Sequence, residues 1–198
     1  MQRSWTIRGV AALAALCVAA ATADDFQPEP GYTSLFNGKD LSGWHYALKK
    51  GEKEDLTGKA ATSDRRFEVK DGIIIANAKD AAGKGGIKDI YTNKVFDKDF
   101  TLKLEFRAAP RADSGVYIRG PQLQVRDYPT VGPYKDLKKF KNGDWNELEI
   151  TVKGTEAVCT CNGELLGKGP MKVPAKGPIG LQAETGKFEF RRLRYKEL

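Results

Sequence analysis

Apolar and polar residues alternate with a period of two over most of the second half of the chain. Phe100-Thr-Leu-Lys-Leu-Glu-Phe-Arg107 puts Leu102, Leu104 and Phe106 on one side, the spacing of a half-buried strand. Asp113 to Asp127 reads as two short strands joined at Gly120-Pro121, with Val116 and Ile118, then Leu123 and Val125, on the apolar side. Further strands are predicted at Ile90–Phe96, Trp145–Lys153, Ile179–Ala183 and Phe188–Tyr195. Asp71-Gly72 and Asn162-Gly163 each sit between two apolar runs and supply the positive φ angles of a two-residue hairpin turn. Residues 49–66, 79–86 and 128–142 carry no apolar period and read as loops. No segment longer than about two turns repeats at the helical period, so the chain is all-β. Many short strands with Gly, Pro and Asn punctuation predict a two-sheet antiparallel sandwich of jelly-roll type.

The polar side of Asp113–Asp127 carries Tyr117, Arg119, Gln122, Gln124 and Arg126. Hydrogen-bonding tips around an aromatic plane suit a polar ring such as a sugar. The same spacing also describes the solvated face of an ordinary strand pair.

Composition narrows the chemistry. Arg3 and Arg8, the apolar run Ala11–Ala21 and the small-residue site Ala21-Thr-Ala23 read as a secretory signal peptide spanning 1–23. The expected organisation is then 24–31 as an N-terminal extension and 32–198 as a single jelly-roll domain, secreted or periplasmic. No other run approaches the roughly 20 apolar residues of a membrane span. The formal charge is +7, but the basic residues are scattered among acids apart from Lys135–Lys141, so no nucleic-acid partner is expected. Cys159 and Cys161 are two apart on a predicted strand and read as buried small apolar residues, too far apart along one face for easy disulfide geometry.

One histidine, His45, excludes a multi-histidine zinc centre, and no Gly-x-Ser-x-Gly elbow supports a serine triad. No metal or cofactor is expected. Paired carboxylates remain, with Asp113, Asp127, Glu105 and Glu184 the nearest to the polar strand pair.

Taken together, several segments resemble the 3-keto-disaccharide hydrolase domain family. They include Ser34-Leu-Phe-Asn-Gly-Lys-Asp-Leu-Ser-Gly-Trp44, Tyr91-Thr-Asn-Lys94, Leu104-Glu-Phe-Arg107, Asp113-Ser-Gly-Val116, Leu123-Gln-Val125, Gly143-Asp-Trp-Asn146, Gly177-Pro-Ile-Gly-Leu-Gln182 and Phe190-Arg-Arg-Leu-Arg194. The resemblance implies a concanavalin A-like jelly roll and cleavage, by hydrolysis or β-elimination, of glycosides or disaccharides oxidised at C3. By position it implies Asp127, Glu105 and Glu184 as catalytic candidates, and Arg119, Gln122, Gln124, Tyr117 and Lys94 as substrate-binding candidates. The chain departs from the family pattern twice: Gln122 stands where many members carry Glu, and Ala183-Glu184 where many carry His. A non-catalytic carbohydrate-binding domain using the same groove is the alternative reading.

Overall fold

The computed structural model describes residues 26–198; the expected signal peptide lies outside the described residues. Two antiparallel sheets are packed face to face, as the alternation predicts. The larger runs β12 (Glu164–Leu165), β11 (Glu156–Cys161), β10 (Asn146–Lys153), β7 (Phe100–Ala108), β15 (Phe188–Glu197), β5 (Ile73–Ala76) and β4 (Phe67–Lys70). Two short strands, β1 (Thr33–Ser34) and β13 (Met171–Lys172), pair with β15 and β11. The smaller sheet runs β3 (Lys53–Asp55), β2 (Trp44–Ala47), β6 (Lys88–Thr92), β14 (Ile179–Ala183), β8 (Asp113–Ile118) and β9 (Gln122–Arg126).

The apolar sides of both sheets meet in one core. Leu102, Leu104 and Phe106 of β7 and Leu148, Ile150 and Val152 of β10 are fully buried, facing Val116, Ile118, Val125, Ile179 and Leu181 of the smaller sheet. Each such side chain contributes about 1.5–3 kcal/mol relative to exposure. Both predicted hairpin turns form, with φ of 51° and 75° at Asp71-Gly72 and 49° and 79° at Asn162-Gly163. Cys159 and Cys161 are buried free thiols, and burial pushes both up to about 12.

Two loops hold more structure than the pattern announces. Within 49–66, β3 pairs with β2 as an edge strand; its exposed Lys53 and Asp55 carry no apolar signal because an edge needs none. In 128–142, the short helix α1 (Tyr128–Val131) buries Tyr128, whose ring packs 5.2 Å from Tyr134, 5.5 Å from Phe140 and 6.1 Å from Phe106. This loop is therefore an aromatic plug at one end of the sandwich. The first described residues are tied down as well. Glu29 accepts from Arg194 Nε at 2.5 Å and Nη2 at 2.8 Å, and Phe26 lies against the same guanidinium at 5.3 Å.

A polar row across the smaller sheet

The outward face of the smaller sheet is laid out by register. Opposite one another lie His45 and Tyr91, Tyr91 and Gly180, Gly180 and Tyr117, and Tyr117 and Gln122. One step along the strands, Asp89 pairs with Gln182, and Gly115 with Gln124. Beyond these, Asp113 pairs with Arg126, and Glu184 follows the end of β14.

Two glycines make this face possible. A Cβ on Gly180 would stand 2.6 Å from the Tyr91 ring and 3.0 Å from that of Tyr117, so the rings lie over bare backbone with centroids 5.3 Å apart. Gly115 gives the same clearance to the Gln122 amide. Flat packing of side chains across a strand needs such gaps.

The amides form a directed chain. Gln124 Nε2 donates to Gln122 Oε1 at 3.0 Å, Gln122 Nε2 to Gln182 Oε1 at 2.7 Å, and Gln182 Nε2 to the Tyr117 hydroxyl at 2.7 Å. Tyr117, whose phenol is pushed up to about 12 chiefly by burial, stands next to Asp89. Burial raises the Asp89 carboxyl above its ordinary value, against the opposing effect of hydrogen bonding to Tyr117 and Gln182. Asp89 Oδ1 and Gln124 Oε1 are buried and have no hydrogen-bond partner among the described residues. A buried acceptor left unpaired costs about 1–3 kcal/mol.

Glu184 is half-buried at the edge of this face. Burial raises its pKa, and the neighbouring Asp113 and Asp89 charges add to the effect while Arg126 opposes it. Arg126 is itself paired with Asp113, Nε to Oδ1 at 2.5 Å. The face thus holds two carboxyl groups shifted toward the proton-exchanging range, beside amides and neutral phenols.

The structure brings together Tyr117, Gln122, Gln124 and Glu184 among the residues expected from sequence, and removes four others from this face. Asp127 is buried, and its Oδ2 accepts from the Arg111 backbone N–H at 2.8 Å; it shares the inward parity of Leu123 and Val125. Glu105 belongs to the other sheet, where it accepts from Arg191 at 2.7 Å and Arg192 at 3.0 Å. Lys94 has the inward parity of Ile90 and Thr92; its Nζ reaches Glu197 at 3.3 Å over the Phe96 and Tyr195 rings. Arg119 would have faced outward, but its φ of 54° turns it back at the strand end. Its guanidinium, buried over Phe100, donates to Gly154 O at 3.0 Å, Pro174 O at 3.4 Å and Lys98 O.

Asp89, Tyr91 and Gln182 share this face, and sequence reasoning did not place them there. The signal was present: Ile90, Thr92, Leu181 and Ala183 are inward, so Asp89, Tyr91 and Gln182 must be outward.

An antiparallel sandwich of two such sheets is a concanavalin A-like jelly-roll domain. Residues 31–196 match the model of the 3-keto-alpha-glucoside-1,2-lyase-like domain, and the chain belongs to that family. Two solved structures from Parabacteroides distasonis ATCC 8503, each called a "putative glycosyl hydrolase", share its fold. The first has a TM-score of 0.62 and 22% identity, covering 85% of this chain and 94% of its own. The second has a TM-score of 0.54 and 20% identity, covering 67% and 90%. The alginate lyase from Corynebacterium sp. is similar at a TM-score of 0.51 and 8% identity, covering 82% and 96%. No curated protein sequence matches the chain.

Proposed function

We propose that the protein is an exported enzyme that cleaves the glycosidic bond of 3-keto-glycosides on the outward face of its smaller sheet. The arrangement that carries this reading places two carboxyl groups on one face, Asp89 paired across the strands with Gln182 and Glu184 just past the end of β14, and burial raises the pKa of both. Family membership supports the substrate class.

A ketone at C3 acidifies the C2 proton. Glu184, as the carboxylate, takes that proton, and the enolate charge spreads onto the C3 oxygen. The electron pair then forms the C1=C2 bond and the C1–O bond breaks. Asp89, whose pKa burial raises, serves as the acid that protonates the departing oxygen. Tyr91 and Tyr117 form the surface beneath the sugar ring. Water adding across C1=C2 completes hydrolysis.

Purified protein incubated with a 3-keto-glucoside and followed by mass spectrometry tests the reading. Release of the aglycone, lost in Glu184→Gln, is the expected result. Binding without release would leave the carbohydrate-binding reading. The row Gln124, Gln122 and Gln182, which cannot exchange protons, is the observation that favours it.

A further inference from the structure

The outward row does not end at Tyr91. One strand further, His45 of β2 stands opposite Tyr91, and beyond it Asp55 of β3 stands opposite His45. With Glu52, Lys53 and Asn93, these residues line a cleft of about 720 Å³. The cleft is polar, and its Glu52 and Lys53 side chains make no hydrogen bond or ion pair among the described residues. One of its proton acceptors is oriented by a neighbour. His45 Nδ1 and Asn93 Oδ1 are bonded at 2.8 Å. An amide oxygen only accepts, so the hydrogen of this bond lies on Nδ1, and the lone pair of the neutral ring lies on Nε2. Nε2 makes no hydrogen bond among the described residues.

We infer that His45 is the base for the second half of the reaction, taking a proton from the water that adds to C1. The inference rests on the cleavage reading above, which puts the departing oxygen at Asp89. His45 and Asp89 are diagonal neighbours on adjacent strands, about 7–8 Å apart. A carboxyl reaching in from one side and an imidazole from the other leave room between them for C1 and one small molecule. The leaving group occupies that place first, and its departure opens C1 to water from the cleft. Asp89 does not line the cleft. Asp55 does, but it stands a strand further away, and its hydrogen bonds from Thr57 lower its pKa and hence its basicity. Glu52 immediately precedes β3, on the same far side, and is exposed.

The step balances. Cleavage leaves C1=C2 conjugated with the C3 ketone, so C1 is electrophilic. The water oxygen bonds to C1 as one of its protons passes to His45 Nε2. The C1=C2 pair moves to C2=C3, placing the charge on the C3 oxygen, and C2 then takes the proton that Glu184 holds from the first step. His45 returns its proton to solvent. Asn93 is a positioning residue that keeps Nε2 free.

The test supplies the unsaturated 3-keto sugar directly and follows its gain of one water by mass spectrometry, against the rate without protein. Wild type and Asp89→Asn are expected to hydrate it at similar rates, and His45→Gln at least about 100-fold more slowly. Given a 3-keto-glucoside, His45→Gln still releases the aglycone at the wild-type rate but accumulates the unsaturated sugar. A merely structural role would slow release and hydration together. No hydration by wild type, unchanged hydration in His45→Gln, or an equal loss in Asp89→Asn, Asp55→Asn or Glu52→Gln would overturn the inference. The two readings fail separately. His45-dependent hydration in a protein that cleaves no 3-keto-glycoside keeps the inference and removes the cleavage. Cleavage that stops at the unsaturated sugar in wild type does the reverse.

Discussion

Gln122 lies across Gly115, diagonal to it on the neighbouring strand, so closely that a Cβ on Gly115 would stand 1.9 Å from Gln122 Nε2. The amide row therefore depends on a missing side chain. Gly115→Ala forces the flexible Gln122 to swing away and breaks its bonds to Gln182 and Gln124. Because the backbone need not move, the fold survives with a loss of about 1–2 kcal/mol in urea unfolding. Ligand affinity falls about tenfold, as expected for losing one or two hydrogen bonds in a desolvated site.

Asp89 links activity to stability with opposite signs. Its native pKa lies above the unfolded value of 3.8, so from that pH upward the unfolded chain gives up the proton first. The native state then holds more protons, and stability falls as pH rises through the raised pKa. Asp89→Asn removes that penalty and raises the Tm at pH 7, while slowing cleavage at least about 100-fold. The activity profile is bell-shaped: Glu184 must lose its proton on the acid limb, and Asp89 must keep its proton on the alkaline limb. Thermal melts and pH–rate profiles of the wild type and of Asp89→Asn check both statements.

Arg119 separates structural from ligand-binding arginines. Its guanidinium joins three backbone carbonyls from three loops at one end of the sandwich. Arg119→Met leaves these carbonyls without a donor and lowers unfolding stability by about 2–4 kcal/mol, from several charge-assisted bonds lost together. Affinity of the folded protein for a 3-keto-glycoside stays within about twofold, since the residue does not reach the polar row. Denaturant curves alongside calorimetry read the two effects separately.

The segment 26–31 is held by charge. Hydrogen bonding from Arg194 lowers Glu29 to about 2, from an ordinary value of 4.5. The stabilisation is present above pH 4.5 and disappears as pH falls toward 2. Glu29 is 45% exposed, so its contribution at neutral pH is about 1 kcal/mol or less. Glu29→Gln therefore gives a small drop in Tm at pH 7 that vanishes near pH 2. Limited proteolysis at neutral pH cuts the 26–31 segment faster in the variant.

The fold was legible because its signals are local. Alternation in Phe100–Arg107 and turn chemistry at Asp71-Gly72 and Asn162-Gly163 each act within a few residues, and all three appear where predicted. The site was legible only where the same alternation was carried through. Gln122, Gln124 and Tyr117 follow from it, and so would Asp89 had the strand been extended back from Ile90. Arg119 was misplaced because one left-handed residue cancels parity, which no count of spacings detects. Glu105 was misplaced for a different reason. An outward residue looks the same on either sheet, and only the topology places β7 in the larger sheet, away from β8 and β9. The pairing of Gln182 with Asp89 joins segments distant in sequence, and sheet order alone brings them together.

The central claim is that Glu184 and Asp89 divide the proton transfers between them. Incubating a 3-keto-glycoside in D₂O and following C2 by NMR, together with release of the aglycone, separates the two steps. The account predicts that Glu184→Gln loses both deuterium incorporation and release, whereas Asp89→Asn still exchanges the C2 proton but releases the aglycone at least about 100-fold more slowly. Normal exchange and release in both variants would contradict it.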